Sequence, residues 1–524
     1  MARPRLTPRQ KLARALTELH GVLGADRGVV RGPQLTNANR VLLLETGYLR
    51  EILKGWYFVS DPTAEAGDTT PFYANFWEYL ARYLGERFAS GYCLTAEHSL
   101  LRHARQTVIP ATVNVMLASS QSQVQELAFG HTIAMFPGKS TFPTESQTQT
   151  IDGLRCMSIP LCLVSLPPRH FATHGREIQI VMAQLQDPGP LAALVDVNRA
   201  GLARILSAYR QVQRGDFADA VISQLAGLGI QLKTDETPFA ATPIYTLGQA
   251  GRSPLYARIR ALWEQHRESV IACRPDNAIL DLSPADYLTR VQAIRTEDAY
   301  HSLSIERYRV TPELIRKVAD EAWDPVSDAS DQKQVAAMAA KGYLDAFELV
   351  RDAAAQAYAQ RTTAPGLSAR LFATQHQTWY QKLFGPSVDA GILTVADLVG
   401  YRRQHVFLRG SLHSPPHHDA VLDGMTALCE CLTAETDAFV RAVLGHWLFG
   451  FVHPYMDGNG RTARFTMNVL LAGGGYPWTV IRVDDRDEYM RALESASAND
   501  DLTAFAGFIA TQLAREAATA KAPS

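Results

Sequence analysis

The sequence predicts a multidomain chain. Its C-terminal half is mainly α-helical; its N-terminal half carries a winged helix plus a small α/β domain. Three observations predict this. At 524 residues the chain is too long for one hydrophobic core, because single cores stop growing beyond roughly 250–300 residues. Apolar residues recur at helical spacing almost throughout from residue 255 onward, whereas residues 72–230 alternate helix-like with strand-like segments. Between the two patterns lies KTDETPFAATPIYTLGQAGRSP (233–254), rich in Pro, Thr and Gly and without apolar periodicity, which reads as a linker. The expected divisions are 1–62, 63–232, the linker 233–254, 255–512, and a flexible tail 513–524.

In the first division, residues 7–20 read as a helix with Thr7 as N-cap, Pro8 at its first position and Leu12, Ala15, Leu16 and Leu19 on one face. A second helix starts at Thr36 and stops at Gly47. YLREILKGWYFVSDP then reads as two short strands around Lys54-Gly55. Helices followed by a small hairpin make a winged helix-turn-helix. The first sixty residues hold ten basic side chains against four acidic ones, a local footprint for nucleic acid, with Arg40 on the second helix and Lys54 at the wing tip as candidate DNA contacts. The other reading of this segment is a helical cap with a solvated basic face.

In the second division PFYANFWEYLARYLGERF and LARILSAYRQV read as helices, and TVNVMLAS and EIQIVMAQL as strands. GYCLTAEHSLLRHA resembles, by pattern over roughly the first 230 residues, the stretch after the wing in AbiEi-like antitoxins. That resemblance implies a DNA-binding, self-regulating transcription factor. His98 and His103 in this stretch read as core or surface histidines rather than ligands, since no third partner accompanies them.

Beyond the linker, helices are expected over 255–272, 284–299, 311–323, 332–360, 367–383, 418–434, 436–451 and 460–473. The last two flank HPYMDGNGRTAR (453–464). Pro454 stops the preceding helix, Gly458-Asn459-Gly460 accept left-handed backbone, and a new helix opens there. A glycine-rich loop at a helix N-terminus is an anion site. Arg461 and Arg464, three apart, share the face of the first turn and clamp phosphate oxygens. Asp457 is a hard oxygen ligand for Mg²⁺, and His453 stands where a general base takes a proton from a hydroxyl. Together these parts suit transfer of part of a nucleotide to a hydroxyl.

The same residues resemble the signature of the Fic (Fido) family, H-x-F-x-[D/E]-G-N-G-R-x-x-R, with Tyr455 in place of the aromatic Phe. The resemblance spans about 255–512. It implies a helical domain that transfers AMP from ATP-Mg²⁺ to a Ser, Thr or Tyr of a protein, the chain itself included. By that resemblance His453 is the base and Asp457 the magnesium ligand. Gly458, Asn459, Gly460 and Arg461 hold the α- and β-phosphates, and Arg464 meets the γ-phosphate. GYRRQHVFLRGSLHSPPHHDAV (400–421) resembles the family's flap, a hairpin aligning the target by strand addition, with His405, Phe407 and Arg409 alternating along a strand and Gly410-Ser411 at the turn. His405, His413, His417 and His418 also invite a metal reading, against which stands the adjacency of His417 and His418. DAYHSLSIERYRVTPELI (298–315) resembles the inhibitory helix, pattern [S/T]-x-x-x-E-[G/N], with Ser302 and Glu306 in place and Arg307 departing from it.

Composition narrows the setting. Hydrophobic residues at 47% and charged residues at 20% exclude global disorder. No run of about eighteen apolar residues exists for a membrane span. The six cysteines form no C-x-x-C pair, and the basic start lacks the apolar run of a signal peptide, so a soluble cytoplasmic protein is expected. Two function classes stay open on the sequence. One is a protein adenylyltransferase, auto-inhibited in cis, with another nucleotide or AMP removal as variants. The other is a DNA-binding regulator of antitoxin type whose Fic part senses nucleotide.

Overall fold

The computed structural model describes residues 6–23, 28–63, 69–234, 236–247, 252–320 and 335–521. Two compact units divide the chain: Met1–Tyr245 with Phe407–Ser414, and Thr246–Val406 with Pro415–Ser524.

The first unit opens with helix α1 (Pro8–Leu23), strand β1 (Val29–Arg31), helix α2 (Asn37–Glu45) and the hairpin β2 (Leu49–Leu53) and β3 (Trp56–Val59). Thr7 caps α1 reciprocally: its Oγ1 accepts from the Gln10 amide at 3.3 Å, and the Gln10 side chain accepts from the Thr7 amide at 2.9 Å. Thr36 precedes α2 as expected, but its hydroxyl donates to Glu18 at 3.1 Å, so it ties α2 to α1 instead of capping. The three strands pair antiparallel in the order β1-β3-β2.

Helix α3 (Thr70–Phe88) follows, then β4 (Tyr92–Leu94), α4 (Ala96–His103), β5 (Thr112–Leu117), β6 (Gln123–Glu126), β7 (Thr132–Pro137), β8 (Thr148–Ile151) and β9 (Leu154–Met157). β4 to β7 form one sheet in the order β4-β5-β7-β6, parallel only between β5 and β7. Val29, Ile52, Trp56 and Phe58 share a core with Phe72, Phe76, Tyr79 and the sheet residues Val113 and Val115. One set of strand residues in the first sixty thus packs on the segment that follows, while Ala15, Leu19, Leu43 and Leu49 form a separate small core with Val30 and Tyr57.

Helices α5 (Ile159–Ser165), α6 (His170–Thr173), α7 (Gly175–Gln184), α8 (Gly189–Ala192), α9 (Arg199–Gln211) and α10 (Gly215–Ala226) complete the unit. EIQIVMAQL is helix α7, not a strand. Its alternation is misleading because the polar members are buried too: Gln179 donates to the Pro243 carbonyl (2.8 Å) and accepts from the Tyr245 amide (3.0 Å). Burial on every side, not β propensity, decides the element. His98 and His103 are core histidines, bonded at Nε2 to the Thr112 and Met157 carbonyls.

The second unit is helical: α11 (Pro254–Ala272), α12 (Pro284–Ala293), α13 (Arg295–Ile305), α14 (Pro312–Ala319), α15 (Val335–Ala359), α16 (Leu367–Asp389), α17 (Val421–Ala434), α18 (Ala438–Val452), α19 (Asn459–Ala472), α20 (Arg486–Ala498) and α21 (Thr503–Lys521). Ser283 and Thr311 cap α12 and α14 by accepting from Asp286 and Leu314 amides, each ahead of a Pro at the first position. The helix expected over 284–299 breaks at Ile294 into α12 and α13. The end of the helix expected over 311–323 and the start of that over 332–360 lie outside the described residues. Residues 513–521, expected as a flexible tail, continue α21, because Phe505, Ile509, Leu513 and Ala517 recur every four residues and are buried. Among the described residues no helix is long and apolar enough to cross a membrane.

α15 and α16 approach closely at Gly342, where an added Cβ would stand 2.0 Å from the Leu383 carbonyl oxygen. Backbone cannot swing aside as a side chain can. Gly342→Ala is therefore expected to lose about 1–3 kcal/mol of stability, seen as a lower thermal midpoint; an unchanged midpoint would show that the two helices separate freely.

Candidate active site at the start of helix α19

Asp437 caps α18, accepting from the Phe439 and Val440 amides at 2.9 and 3.0 Å, and the helix is buried almost all round. It ends where His453 takes a left-handed conformation, φ 51°, and Pro454 withholds the next N–H. His453 Nδ1 lies 3.3 Å from the Gly450 carbonyl. A carbonyl only accepts, so the proton sits on Nδ1 and the Nε2 lone pair is free for a substrate proton. Burial pushes the imidazole pKa down to about 4, so the ring is neutral at neutral pH.

The loop is shaped by Asn459. Its side chain accepts from the Tyr455 amide and donates to the Tyr455 carbonyl, both at 2.9 Å, so the Asn459 amide group holds the turn closed. Asp457 Oδ1 accepts from the Gly458 amide at 2.6 Å. Gly458 is left-handed (φ 73°), and a Cβ there would meet the Phe384 ring at 2.9 Å. α19 then opens with its first amides facing away from any carbonyl of their own helix, at the positive end of the dipole.

Both arginines of the motif are buried, Arg461 at 1% and Arg464 at 5% exposure. Glu306 bridges them: Oε2 lies 2.7 Å from Arg461 Nε, and Oε1 accepts from Arg464 Nη2 at 2.8 Å. Arg464 also donates to Ser302 Oγ (2.8 Å) and to the Ser302 carbonyl (3.0 Å). Burial works against the Arg461 charge, but Glu306 beside it more than offsets this and raises its pKa. The carboxylate stands directly over the first turn of α19, since a Cβ on Gly460 would meet Glu306 Oε1 at 2.6 Å. The Glu306 carboxylate thus occupies the ground where an anion would bind.

Three residues that the motif does not announce complete the site. The rings of Tyr308 and Phe384 each lie 5.1 Å from the Arg461 guanidinium, as cation–π partners. Buried Arg402 donates to the His453 carbonyl (2.8 Å), the Gln404 carbonyl (2.9 Å) and the Pro416 carbonyl, while its amide donates to Pro454 O at 2.9 Å. Its only sequence signal was a charged pair, Arg402-Arg403, in a segment otherwise read as a strand.

That strand is not formed. Within 400–416 only an isolated bridge, His413 to Val108, is present, with a turn at Leu408–Ser411 around left-handed Gly410. Arg402 takes carbonyls that a hairpin ladder would use, and Pro415-Pro416 cannot donate. His405 thus lies in an irregular segment, and Phe407 and Arg409 group with the first unit. His405, His417 and His418 converge, their nearest ring nitrogens within 4.8 Å of one another; His413 does not join them. Of the two DNA candidates, Lys54 is exposed at the β2–β3 turn. Arg40 is not a free contact: its guanidinium donates to the Gly32 carbonyl (3.1 Å) and Asn37 Oδ1 (2.6 Å), bracing the start of α2.

Tyr455 replaces the expected Phe at a cost. Its ring stacks on Tyr380, parallel at 3.7 Å, and is 1% exposed, but its hydroxyl has no hydrogen-bond partner among the described residues. Burying an unsatisfied hydroxyl costs about 1–3 kcal/mol. Tyr455→Phe is accordingly expected to raise the thermal midpoint while preserving the loop; a lower midpoint would show that the hydroxyl has a partner.

Residues 367–471 match the family model described as the Fic/DOC family. A curated protein adenylyltransferase Fic from Nematostella vectensis is 35% identical over 114 residues, 21% of this chain and 26% of that protein. Protein adenylyltransferase fic-1 from Caenorhabditis briggsae is 33% identical over 101 residues, 18% of this chain and 20% of that protein. The chain thus spans about a quarter or less of the length of these relatives. Among solved structures, a Fic-1 segment from C. elegans is 16% identical, covering 67% of this chain and 91% of that one with a TM-score of 0.36. The C-terminal half of this chain, with its His453-to-Arg464 loop, carries a Fic/DOC domain.

Proposed function

We propose that the Fic/DOC domain is a protein adenylyltransferase that its own Glu306 holds back. The observation that carries the reaction is the pairing of a neutral imidazole, proton-free at Nε2, with an anion site one loop away. ATP bound with its phosphates over α19 presents the α-phosphorus to a Ser, Thr or Tyr hydroxyl of a protein. The hydroxyl oxygen forms the new bond, the bond to the α–β bridging oxygen breaks, and pyrophosphate leaves. The hydroxyl proton passes to His453 Nε2. Asp457, a hard carboxylate with a 61% exposed side chain beside the anion site, suits Mg²⁺, which would neutralise phosphate charge there. The naming of the curated relatives as protein adenylyltransferases supports the reaction type.

The hold rests on Glu306. It pairs with Arg464, which would otherwise receive the γ-phosphate, and with Arg461, while Ser302 fixes the Arg464 guanidinium. A charge-assisted hydrogen bond of this kind is worth about 1.5–3 kcal/mol, a hold of roughly ten- to a hundred-fold in rate. Glu306→Gly is expected to raise transfer of labelled AMP to protein by about that range, and Glu306→Gly with His453→Ala to show none. Equal rates for wild type and Glu306→Gly at saturating ATP would remove the inhibitory role. Transfer by the double variant would remove His453 as base.

A second reading, DNA binding by the first unit, draws on α2 followed by the β2–β3 hairpin with Lys54 exposed at its tip, and on exposed Arg9, Lys11 and Arg14 along α1. Arg31 is spent on Glu86, and Arg3, Arg5 and Arg27 lie outside the described residues. Because residues 1–62 share a core with α3, the test uses the full chain. Lys54→Glu with Arg14→Glu should weaken duplex binding at low salt and flatten its salt dependence; mobility shifts identical to wild type would sink the reading.

A further inference from the structure

We propose that Glu97, His170 and His174, in the first unit, bind a divalent transition cation of the Zn²⁺ class. The three residues come from two stretches of the chain. Glu97 lies in the first turn of α4; His170 opens α6, and His174 precedes α7 four residues later. Their donor atoms lie within 4.8 Å of one another. The carboxylate is split between the imidazoles: Oε2 is 3.5 Å from His170 Nε2, and Oε1 is 3.9 Å from His174 Nε2.

Those distances favour a metal over a simple ion pair. A charge-assisted N–H···O bond closes to about 2.7–2.9 Å. Two ligands of one tetrahedral Zn²⁺, each about 2.0–2.2 Å from the ion, stand roughly 3.3–3.5 Å apart. The His170 pair is at that spacing, and the His174 pair is slightly wider. The His170 side chain is 5% exposed, its Nδ1 has no partner among the described residues, and its Nε2 faces into the cluster.

His174 is pre-set for coordination. The Thr173 hydroxyl donates to the Arg169 carbonyl at 3.4 Å and lies 2.8 Å from His174 Nδ1. In the tautomer protonated at Nδ1 the hydroxyl oxygen accepts that proton, which leaves the Nε2 lone pair toward Glu97. A second group fixing the tautomer through the far nitrogen is the usual support of a metal-bound histidine. Two histidines and one carboxylate fill three positions of a Zn²⁺ site and leave one for water or a ligand. The cation would pin α4, which follows the sheet strand β4, to the segment that opens α7.

The test is a metal count on the full chain. Chelator-stripped protein is titrated with Zn²⁺, dialysed and analysed by mass spectrometry, with circular dichroism as the check on folding. Wild type is expected to retain one equivalent, and Co²⁺ in its place to give visible absorption that Zn²⁺ abolishes. Glu97→Gln and His174→Gln, at the two more exposed positions, should each lower Zn²⁺ affinity by at least about tenfold. A His405→Gln/His417→Gln variant of the other histidine cluster should keep that equivalent. No retained Zn²⁺ and no cobalt absorption in wild type, or loss of metal in the His405→Gln/His417→Gln variant alone, overturns the proposal.

Discussion

Two guanidinium groups buried at the N-terminus of one helix, Arg461 and Arg464, set the terms for the rest of the C-terminal unit. Withdrawing a charge from water costs several kcal/mol even after relaxation, and here the helix dipole adds charge of the same sign. Such a corner is stable only around an anion. The chain provides Glu306, and the rings of Tyr308 and Phe384 flank Arg461 to lessen the penalty further. On the proposed reading the demand that would make the corner a phosphate site is the one that the carboxylate meets, so binding and restraint would share one physical cause.

That corner is held in place by contacts that do no chemistry. Asn459 closes the loop on the Tyr455 backbone, and Arg402 fastens the next segment to the His453 and Pro454 carbonyls. Tyr455 in turn lies flat on Tyr380 of α16, which the close contact at Gly342 sets against α15. A single line of packing therefore runs from a helix crossing to the histidine. Displacing any member would shift Nε2 relative to the start of α19, and on the proposed reading such misplacement would lower rate without touching a reacting atom.

Much of this was legible in the sequence because its signals are local. His453, Asp457, the Gly458–Gly460 turn, Arg461 and Arg464 lie within twelve residues, and the helices around them follow a 3.6-residue period. Ser302 and Glu306 were legible through the resembled inhibitory pattern, and the four-residue interval puts both against Arg464. What was not legible depends on distant partners. Arg402 gains its role from carbonyls up to fifty-two residues away, and the Arg40 guanidinium is tied to the Gly32 carbonyl and Asn37. EIQIVMAQL reads as a strand until Gln179 is seen to be buried against Pro243 and Tyr245. His170 and His174 are four apart in sequence, but Glu97 lies more than seventy residues upstream, and no local pattern joins them.

Arg307 shows how a departure from a family pattern can leave the geometry intact. α13 closes with the Tyr308 amide on the Leu303 carbonyl (3.1 Å) and the Arg307 amide on the Ser304 carbonyl (3.0 Å), the paired bonds of a Schellman turn. That turn needs left-handed backbone at Arg307, which has φ 66°. The Gly or Asn of the resembled pattern is thus explained by conformation and not by side-chain chemistry. A non-glycine residue adopts it at a cost of about 1–2 kcal/mol, yet the turn still sets Glu306 on the arginines and Tyr308 on Arg461. On the proposed reading the hold is the carboxylate's own, about 1.5–3 kcal/mol, so the segment carrying Glu306 is a restraint that competing phosphate groups can displace rather than a permanent plug.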